Sequence, residues 1–270
     1  MAGEPDWVPP GVDTRRANVA RVYDYLLGGS HNFLADQDLG RSLAAVDPNV
    51  RAIARANRDF LGRAVRFLSE AGVRQFLDIG SGIPTQGNVH EVAQQADPDT
   101  RVAYADVDPV AVAHSEAILA GSENAAVIAA DLRNPEKILA HQAIGRLIDF
   151  RQPAGLLLVS VLPFIADAED PWRIVATLRD ALAPGSYLVL CHGTDEGKPA
   201  VMEAMDKVYK GSVPSKGGAR SRADILRFFD GFELVDPGLV YIPLWRPDSP
   251  VDVPAEPGKF WVLAGVARKP

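Results

Sequence analysis

Residues 75–82 read Q-F-L-D-I-G-S-G, and the rest of the chain can be ordered outward from them. Phe76, Leu77 and Ile79 make a short buried strand that runs into a turn with glycines at 80 and 82. Without a Cβ in the way, such a turn lets the backbone pass close to a ligand. Asp78 stands two residues before the first glycine. A dinucleotide fingerprint would want glycine or a small residue at the third position, which here is Thr85, after Ile83 and Pro84. The G-K-S/T of a phosphate loop is absent.

Downstream, the pattern repeats strand and helix. Asn88 and Glu91 have the spacing of a capping box and open a helix through Gln95. A strand over 101–105 ends at Asp106, and Asp108-Pro109 then starts a helix, with Asp as cap and Pro at the first position. That assignment leaves Asp106 without a structural role. A third strand, 126–130, ends at Asp131, and Asn134-Pro135 caps the next helix, which leaves Asp131 in the same position. Asp78, Asp106 and Asp131 are 28 and 25 residues apart, close to one strand–helix–strand unit each. Right-handed crossovers put all three strand ends on one edge of the sheet, where ligands of open α/β sheets bind. One acid per strand end suits a ligand with a ribose diol, an amino group and a positive charge. A turn or capping role is the alternative for any one of them.

Residues 155–161 are nearly all apolar, as a central parallel strand should be. A helix over 171–182, a strand over 186–191 and helices near 198–209 and 221–229 follow. Two further strands, in 231–245 and 259–267, have no helical pattern between them, which favours antiparallel pairing. Upstream, residues 1–13 form a proline-rich arm. A helix over 14–27 carries its apolar stripe at 19, 22, 23, 26 and 27 and stops at Gly28-Gly29. A polar loop and a short helix to Asp47-Pro48 lead to a long helix over 49–71. Its Arg51, Arg55, Arg58 and Arg66 are either a solvated face or an anion-attracting rim over the site. The expected division is a helical extension over 1–70 and an α/β domain over 71–270.

Composition bounds the function. With 47% apolar residues and a mean hydropathy of −0.02, this is the profile of a globular protein without membrane spans. The start of the chain has no basic, then apolar, secretory pattern, and Cys191 is the single cysteine, so the expected location is cytoplasmic. Residues 1–75 hold 10 Lys/Arg against 9 Asp/Glu; the remainder holds 18 against 26. An acidic body argues against a nucleic-acid partner and suits a small-molecule enzyme. No His, Cys and acidic set has metal-ligand spacing.

D-x-G-x-G, Asp106, Asp131 and the closing strand pair resemble class I S-adenosylmethionine-dependent methyltransferases. More narrowly, R-V-Y-D-Y-L-L-G-G-S-H-N-F, D-I-G-S-G-I-P-T-Q-G-N-V-H-E-V-A, A-D-V-D-P-V, D-P-W-R-I-V and F-F-D-G-F-E-L-V-D-P-G resemble a bacterial family of S-adenosyl methyltransferases whose substrate is not established. The resemblance runs from about residue 14 to 268. It implies a Rossmann-like fold with a seven-stranded, mostly parallel sheet, an antiparallel last strand and an N-terminal helical extension. It also implies S-adenosyl-L-methionine as cofactor, with Gly80, Ser81 and Gly82 beside its methionine part, Asp106 on the ribose and Asp131 at the adenine. Asp78, Val107, Leu132, Ser160, Tyr23, Gly28 and Gly29 complete the expected cofactor contacts. One departure is Leu162-Pro163-Phe164 after the fourth strand, where the family commonly has Leu-His-Phe, so no role carries over to that position.

Methyl transfer from a sulfonium needs alignment, exclusion of water and sometimes a base. The candidate bases are His90, held neutral in the first turn of its helix by the macrodipole, and His31 in the loop after the first helix, with His192 a weaker third. Residues 14–36, with Tyr23, Tyr25 and the Gly28-Gly29 pair, are expected to act as a lid over the cofactor. The expected acceptor is a small molecule methylated on oxygen or nitrogen. A binding protein for the same cofactor without transferase activity is the alternative; a nicotinamide oxidoreductase is disfavoured by Thr85 and by the closing strand pair.

Overall fold

A computed structural model describes residues 8–84, 87–213 and 217–270. Residues 1–7 of the proline-rich arm and Thr85 at the third-glycine position lie outside the described residues. Three helices come first: α1 (Val19–Leu27), α2 (Leu34–Val46) and α3 (Val50–Glu70). Alternation then begins with β1 (Gln75–Ile79), α4 (Val89–Ala96), β2 (Arg101–Asp106), α5 (Pro109–Ile118) and β3 (Ala125–Ala129). It continues through α6 (Pro135–Leu139), α7 (Gln142–Leu147), β4 (Gly155–Val159), α8 (Pro171–Ala181), β5 (Tyr187–Gly193), α9 (Pro199–Ser212) and α10 (Arg222–Leu226). The short β6 (Glu233–Leu234) and β7 (Val240–Tyr241) and the long β8 (Val262–Arg268) end it.

The sheet order is β3-β2-β1-β4-β5-β8-β6, and β7 also pairs with β8. β1 to β5 are mutually parallel, and β8 runs antiparallel to β5, β6 and β7. The expected seventh position is thus filled by two two-residue strands rather than one, because 235–239 turns away between them. The order reverses at β1 and β4, with β2 and β3 to one side, the switch point beside which ligands bind in such sheets.

Alternation along the buried strands divides the core. Leu77, Ile79, Ala103, Leu156, Leu158, Leu188 and Leu190 face a layer that includes α8. Phe76, Val102, Tyr104, Leu157, Val189 and Cys191 face α3, α4 and Trp245. A third cluster joins Val22 and Leu26 of α1, Leu39 and Leu43 of α2, Val50 and Ala54 of α3, and Met202 and Met205 of α9. The extension is therefore not packed as a separate unit: its apolar faces are completed by α9. Among the described residues, no helix is long and apolar enough to cross a membrane.

Two caps fall where the sequence puts them: Asn88 and Glu91 form a capping box on α4, and the Asp108 carboxylate accepts from the Val110 and Ala111 N–H groups. Asn134-Pro135 opens α6 as expected, but the Asn134 side chain accepts no capping hydrogen bond. The first helix starts at Val19 rather than near Thr14, since the Asn18 side chain accepts from the Ala20 N–H and closes the first turn there.

Candidate active site

At the carboxyl ends of β1 to β5 lies a cavity of ≈ 270 Å³. Its wall takes Asp78, Gly80, Ser81 and Gly82 from the end of β1, Asp106 and Val107 from β2, Asp131 and Leu132 from β3, Ser160 from β4 and Gly193 from β5. Asn18, Tyr23 and Leu26 of α1, Asn57 and Arg58 of α3, and Met202, Met205, Asp206 and Tyr209 of α9 complete the lining. Carboxylates and glycines come from the ends of β1, β2 and β3; segments that follow β4 in the chain add Phe164, Met202, Met205, Asp206, Tyr209 and Trp261.

The glycine turn is tightly built. Gly80 has φ +77°, and a Cβ there would collide with the Val161 side chain, so the position admits no other residue without rearrangement. The Gly82 N–H donates to Asp106 Oδ2 at 2.7 Å, and the Asp108 N–H donates to Asp106 Oδ1 at 2.8 Å. Asp106 therefore does have a structural role, against the expectation from sequence. It ties the glycine turn to the end of β2 while each oxygen keeps a second lone pair. Burial pushes its carboxyl above the ordinary range. Asp131 Oδ1 accepts from the Arg133 N–H at 2.9 Å and pairs with its guanidinium at 3.3 Å. Val107 is 63% exposed, an apolar side chain at the edge of the cavity.

Asp78 lies deeper. It sits on the α3 face of β1, 5% exposed, and loss of water raises its carboxyl to about 7, with Arg58 opposing that rise and Asp106 adding to it. Arg58 reaches over the turn from α3, and its Nη2 donates to the Ile83 carbonyl at 3.4 Å while its buried Nε has no hydrogen-bond partner among the described residues. The buried Ser81 hydroxyl has none either.

A hydrogen-bond chain crosses the floor beside β4. The Tyr23 hydroxyl donates to the Ala54 carbonyl at 2.9 Å and accepts from Asn57 Nδ2 at 2.8 Å. Asn57 Oδ1 accepts from the Cys191 thiol at 2.8 Å and the Ser160 hydroxyl at 3.2 Å. Ser160 has φ +60°, a left-handed conformation that a non-glycine residue holds only when its surroundings fix it. Burial raises Tyr23, Tyr209 and Cys191 each to about 12, so all three stay protonated, and Tyr23 and Cys191 act as donors.

Several expected site residues are elsewhere. Gly28 is the left-handed C-cap of α1, and Gly29 packs so closely on Asp24 that a Cβ would overlap its carboxylate. Asp24 also accepts from the His31 N–H and Asn32 Nδ2, so this loop is pinned rather than hinged and does not line the cavity. His31 packs its ring 3.9 Å from that of His114, off the cavity wall. Tyr25 lies against Gly40 of α2. His90 also misses the main cavity: its Nδ1 is 2.7 Å from the Tyr104 hydroxyl in a small hollow behind the glycine turn, and burial lowers its pKa. His192 is sealed, with Nε2 2.6 Å from the Arg220 guanidinium and its pKa lowered by burial to about 3. The four arginines of α3 divide: Arg58 faces the cavity, Arg51 stacks on Tyr25, Arg66 pairs with Asp248 and Arg55 is exposed.

Asn57 and the α9 residues were not foreseen in the sequence. Their signal is present but modest: Ala54, Asn57, Arg58 and Leu61 share the i, i+3, i+4 stripe of α3, as Met202, Met205 and Tyr209 do on α9.

A family model described as S-adenosyl methyltransferase matches residues 5–270. A methyltransferase candidate from Thermobifida fusca YX, known as a crystal structure, is 46% identical, with a TM-score of 0.92 over 98% of this chain and 99% of that one. A DUF574 family protein from Streptomyces avermitilis MA-4680 is 37% identical, with a TM-score of 0.91 over 96% and 99%. The pyocyanin biosynthetic protein PhzM, 18% identical with a TM-score of 0.50, shares the fold over 87% of this chain and 61% of that one. No curated protein matches the chain.

Proposed function

The chain belongs to the S-adenosyl methyltransferase family, and from that premise we propose that it methylates an oxygen or nitrogen of a small acceptor with an apolar or aromatic body. The enzyme uses S-adenosylmethionine, and its cavity fits that cofactor. Gly80 admits no side chain, and the buried Ser81 hydroxyl and Arg58 Nε have no hydrogen-bond partner among the described residues. Acids stand at three successive strand ends. Asp106 would hold the ribose hydroxyls, Asp131, Val107 and Leu132 the adenine, and Gly80 to Gly82 the methionine part. When bound, the cofactor supplies an electrophilic methyl on a sulfonium, so the protein need not generate the reactive group.

The residues of this chain orient and exclude. Phe164 and Tyr209 meet edge to face with ring centroids 5.7 Å apart, and with Met202, Met205 and Trp261 they offer a water-poor wall for the acceptor. Tyr23, Asn57 and Ser160 form the polar floor between that wall and the glycine turn. Asp206, raised by burial and opposed by Lys210, is the carboxylate on the α9 side that could take a proton from the acceptor. The expected lid is best drawn as a cap of α1, α2 and α9, since these helices share one apolar cluster.

The observation that carries the reading is that one cavity is lined both by carboxylates and glycines at the ends of β1 to β3 and by the aromatic and methionine side chains of Phe164, Met202, Met205, Tyr209 and Trp261. A methyl-transfer screen across phenols, amines and carboxylates, read as S-adenosylhomocysteine release, tests it. Turnover with a ring-bearing acceptor, lost in Tyr209→Ala while S-adenosylhomocysteine still binds, is the expected result. Turnover confined to small, fully polar acceptors would refute the assignment of the apolar wall.

A further inference from the structure

The α9 wall of the cavity carries an acid among apolar side chains. Met202, Met205, Asp206 and Tyr209 stand at i, i+3, i+4 and i+7, so one helical face sets the carboxylate beside two thioethers and a ring. Among the described residues, no N–H or O–H group donates to Asp206; its ion pair is with Lys210 Nζ at 3.9 Å, on a side chain 56% exposed, where water screens the attraction. Burial raises its carboxyl above the ordinary range, with Lys210 opposing. Gly218, also on the cavity wall, lies so close that a Cβ there would stand 2.6 Å from Asp206 Oδ2, so the chain after α9 confines the carboxylate. Two other acids of the cavity have their partners already: the Gly82 and Asp108 N–H groups donate to Asp106, and Arg133 holds Asp131. Asp78 stands at the glycine turn, in the part assigned to the cofactor.

A half-buried carboxylate without donors is best satisfied by a cation that brings N–H groups of its own. The rings beside it favour the same charge. Phe164 and Tyr209 meet edge to face, and an aromatic face attracts a cation and repels an anion. An anionic acceptor would face four carboxylates in one lining, and the two guanidiniums there are committed. Arg133 is taken by Asp131, Glu169 and the Phe164 carbonyl, and Arg58 serves the glycine turn. A neutral alcohol offers one O–H donor and leaves the charge uncompensated.

We propose that the methyl acceptor is an aralkyl amine bound as its ammonium, whose N–H groups donate to Asp206 while its ring lies against Phe164 and Tyr209. This contact rests on the cavity being the acceptor site, as argued above, and narrows the acceptor class to basic amines. The cofactor's sulfonium is positive as well, so Asp206 has to be shown to answer to the acceptor rather than to that charge.

Calorimetric titration of the protein saturated with S-adenosylhomocysteine tests the contact with three probes that share one ring. These are 2-phenylethylamine, 2-phenylethanol and 3-phenylpropionate, at neutral pH where the alkylamine is protonated. The wild type should bind the amine at least tenfold more tightly than the alcohol, and the carboxylate most weakly. Asp206→Asn should bring amine and alcohol within threefold of each other, and Asp206→Glu should recover part of the preference. Both variants should keep the wild-type affinity for S-adenosylhomocysteine within threefold, which also shows that they are folded. Equal binding of amine and alcohol by the wild type, or a preference that survives in Asp206→Asn, overturns the proposal while leaving the apolar wall standing. An Asp206→Asn protein that loses affinity for S-adenosylmethionine but not for S-adenosylhomocysteine overturns it too, by reassigning the acid to the sulfonium. Failure of all three probes to bind would overturn the apolar-wall reading, and the amine contact with it.

Discussion

Replacing Asp78 with asparagine removes a charge that the fold holds at a cost. The carboxyl sits at about 7 in the folded protein against 3.8 in the unfolded chain, because burial outweighs the help of Arg58 and Asp106 adds repulsion. The folded state therefore binds the proton more tightly than the unfolded state does. Its contribution to stability is complete below pH 4 and is lost as the pH rises through 7. Integrated from pH 5 to pH 8, that loss is roughly 2–3 kcal/mol for this one group. Asparagine has the same shape and does not titrate, so wild type minus Asp78→Asn isolates it from every other ionisable group. Urea unfolding of both proteins without ligand, at pH 5, 6.5 and 8, gives the comparison. Relative to wild type, the variant should gain those 2–3 kcal/mol between pH 5 and 8. A stability difference that is flat across that range, or that moves in favour of wild type, would refute the account of Asp78 as a carboxylate strained by burial.

Asp106→Ala should weaken S-adenosylhomocysteine binding by one to several powers of ten and also cost about 1–3 kcal/mol of stability, since the Gly82 and Asp108 N–H groups lose their acceptor. Calorimetry and urea unfolding read the two effects separately, and unchanged affinity removes the ribose assignment. Asp108→Ala should cost about 1 kcal/mol or more of stability as a lost cap, with the larger effect on unfolding than on binding. His90→Gln should leave turnover within about threefold once an acceptor is known, because the imidazole faces Tyr104 rather than the main cavity; a drop beyond tenfold would restore it as a candidate base. Deleting residues 1–36 uncovers Leu43, Met202 and Met205, and losing Val22 and Leu26 alone forfeits about 3–6 kcal/mol of burial. The truncated chain should bind a hydrophobic dye and unfold without a sharp transition; native-like cooperativity would show that the cap is dispensable.

What the sequence made legible was local. The glycine turn, the capping box at Asn88, the Asp108-Pro109 start and the alternation of strands each depend on neighbours a few residues apart, and all are found in the fold. So is the gathering of Asp78, Asp106 and Asp131 at one sheet edge, since crossover handedness leaves little choice. Features set by distant partners were hidden. Gly28-Gly29 looked like an approach to a ligand, but Asp24 claims that loop through contacts visible only once α1 and the loop are folded together. Asp106 looked idle because its acceptor role is to the N–H of Gly82, on the neighbouring strand's turn. The stretch 231–245 read as one strand, yet it pairs with β8 only at its two ends. The α9 wall of the cavity was the least legible, because α9 follows β5 in sequence but packs with α1 and α2 only in the fold.

Cys191 is the only thiol of the chain, and it lies at the middle of the sheet, hydrogen-bonded to Asn57 and Ser160 and fully buried. Held as a neutral thiol away from solvent, it is shielded from alkylating reagents for as long as α3 stays seated on the strands. Its modification rate is therefore a clock for opening of the molecule. Each labelled chain records one exposure event, and no engineered probe is needed to follow how a bound nucleoside slows it.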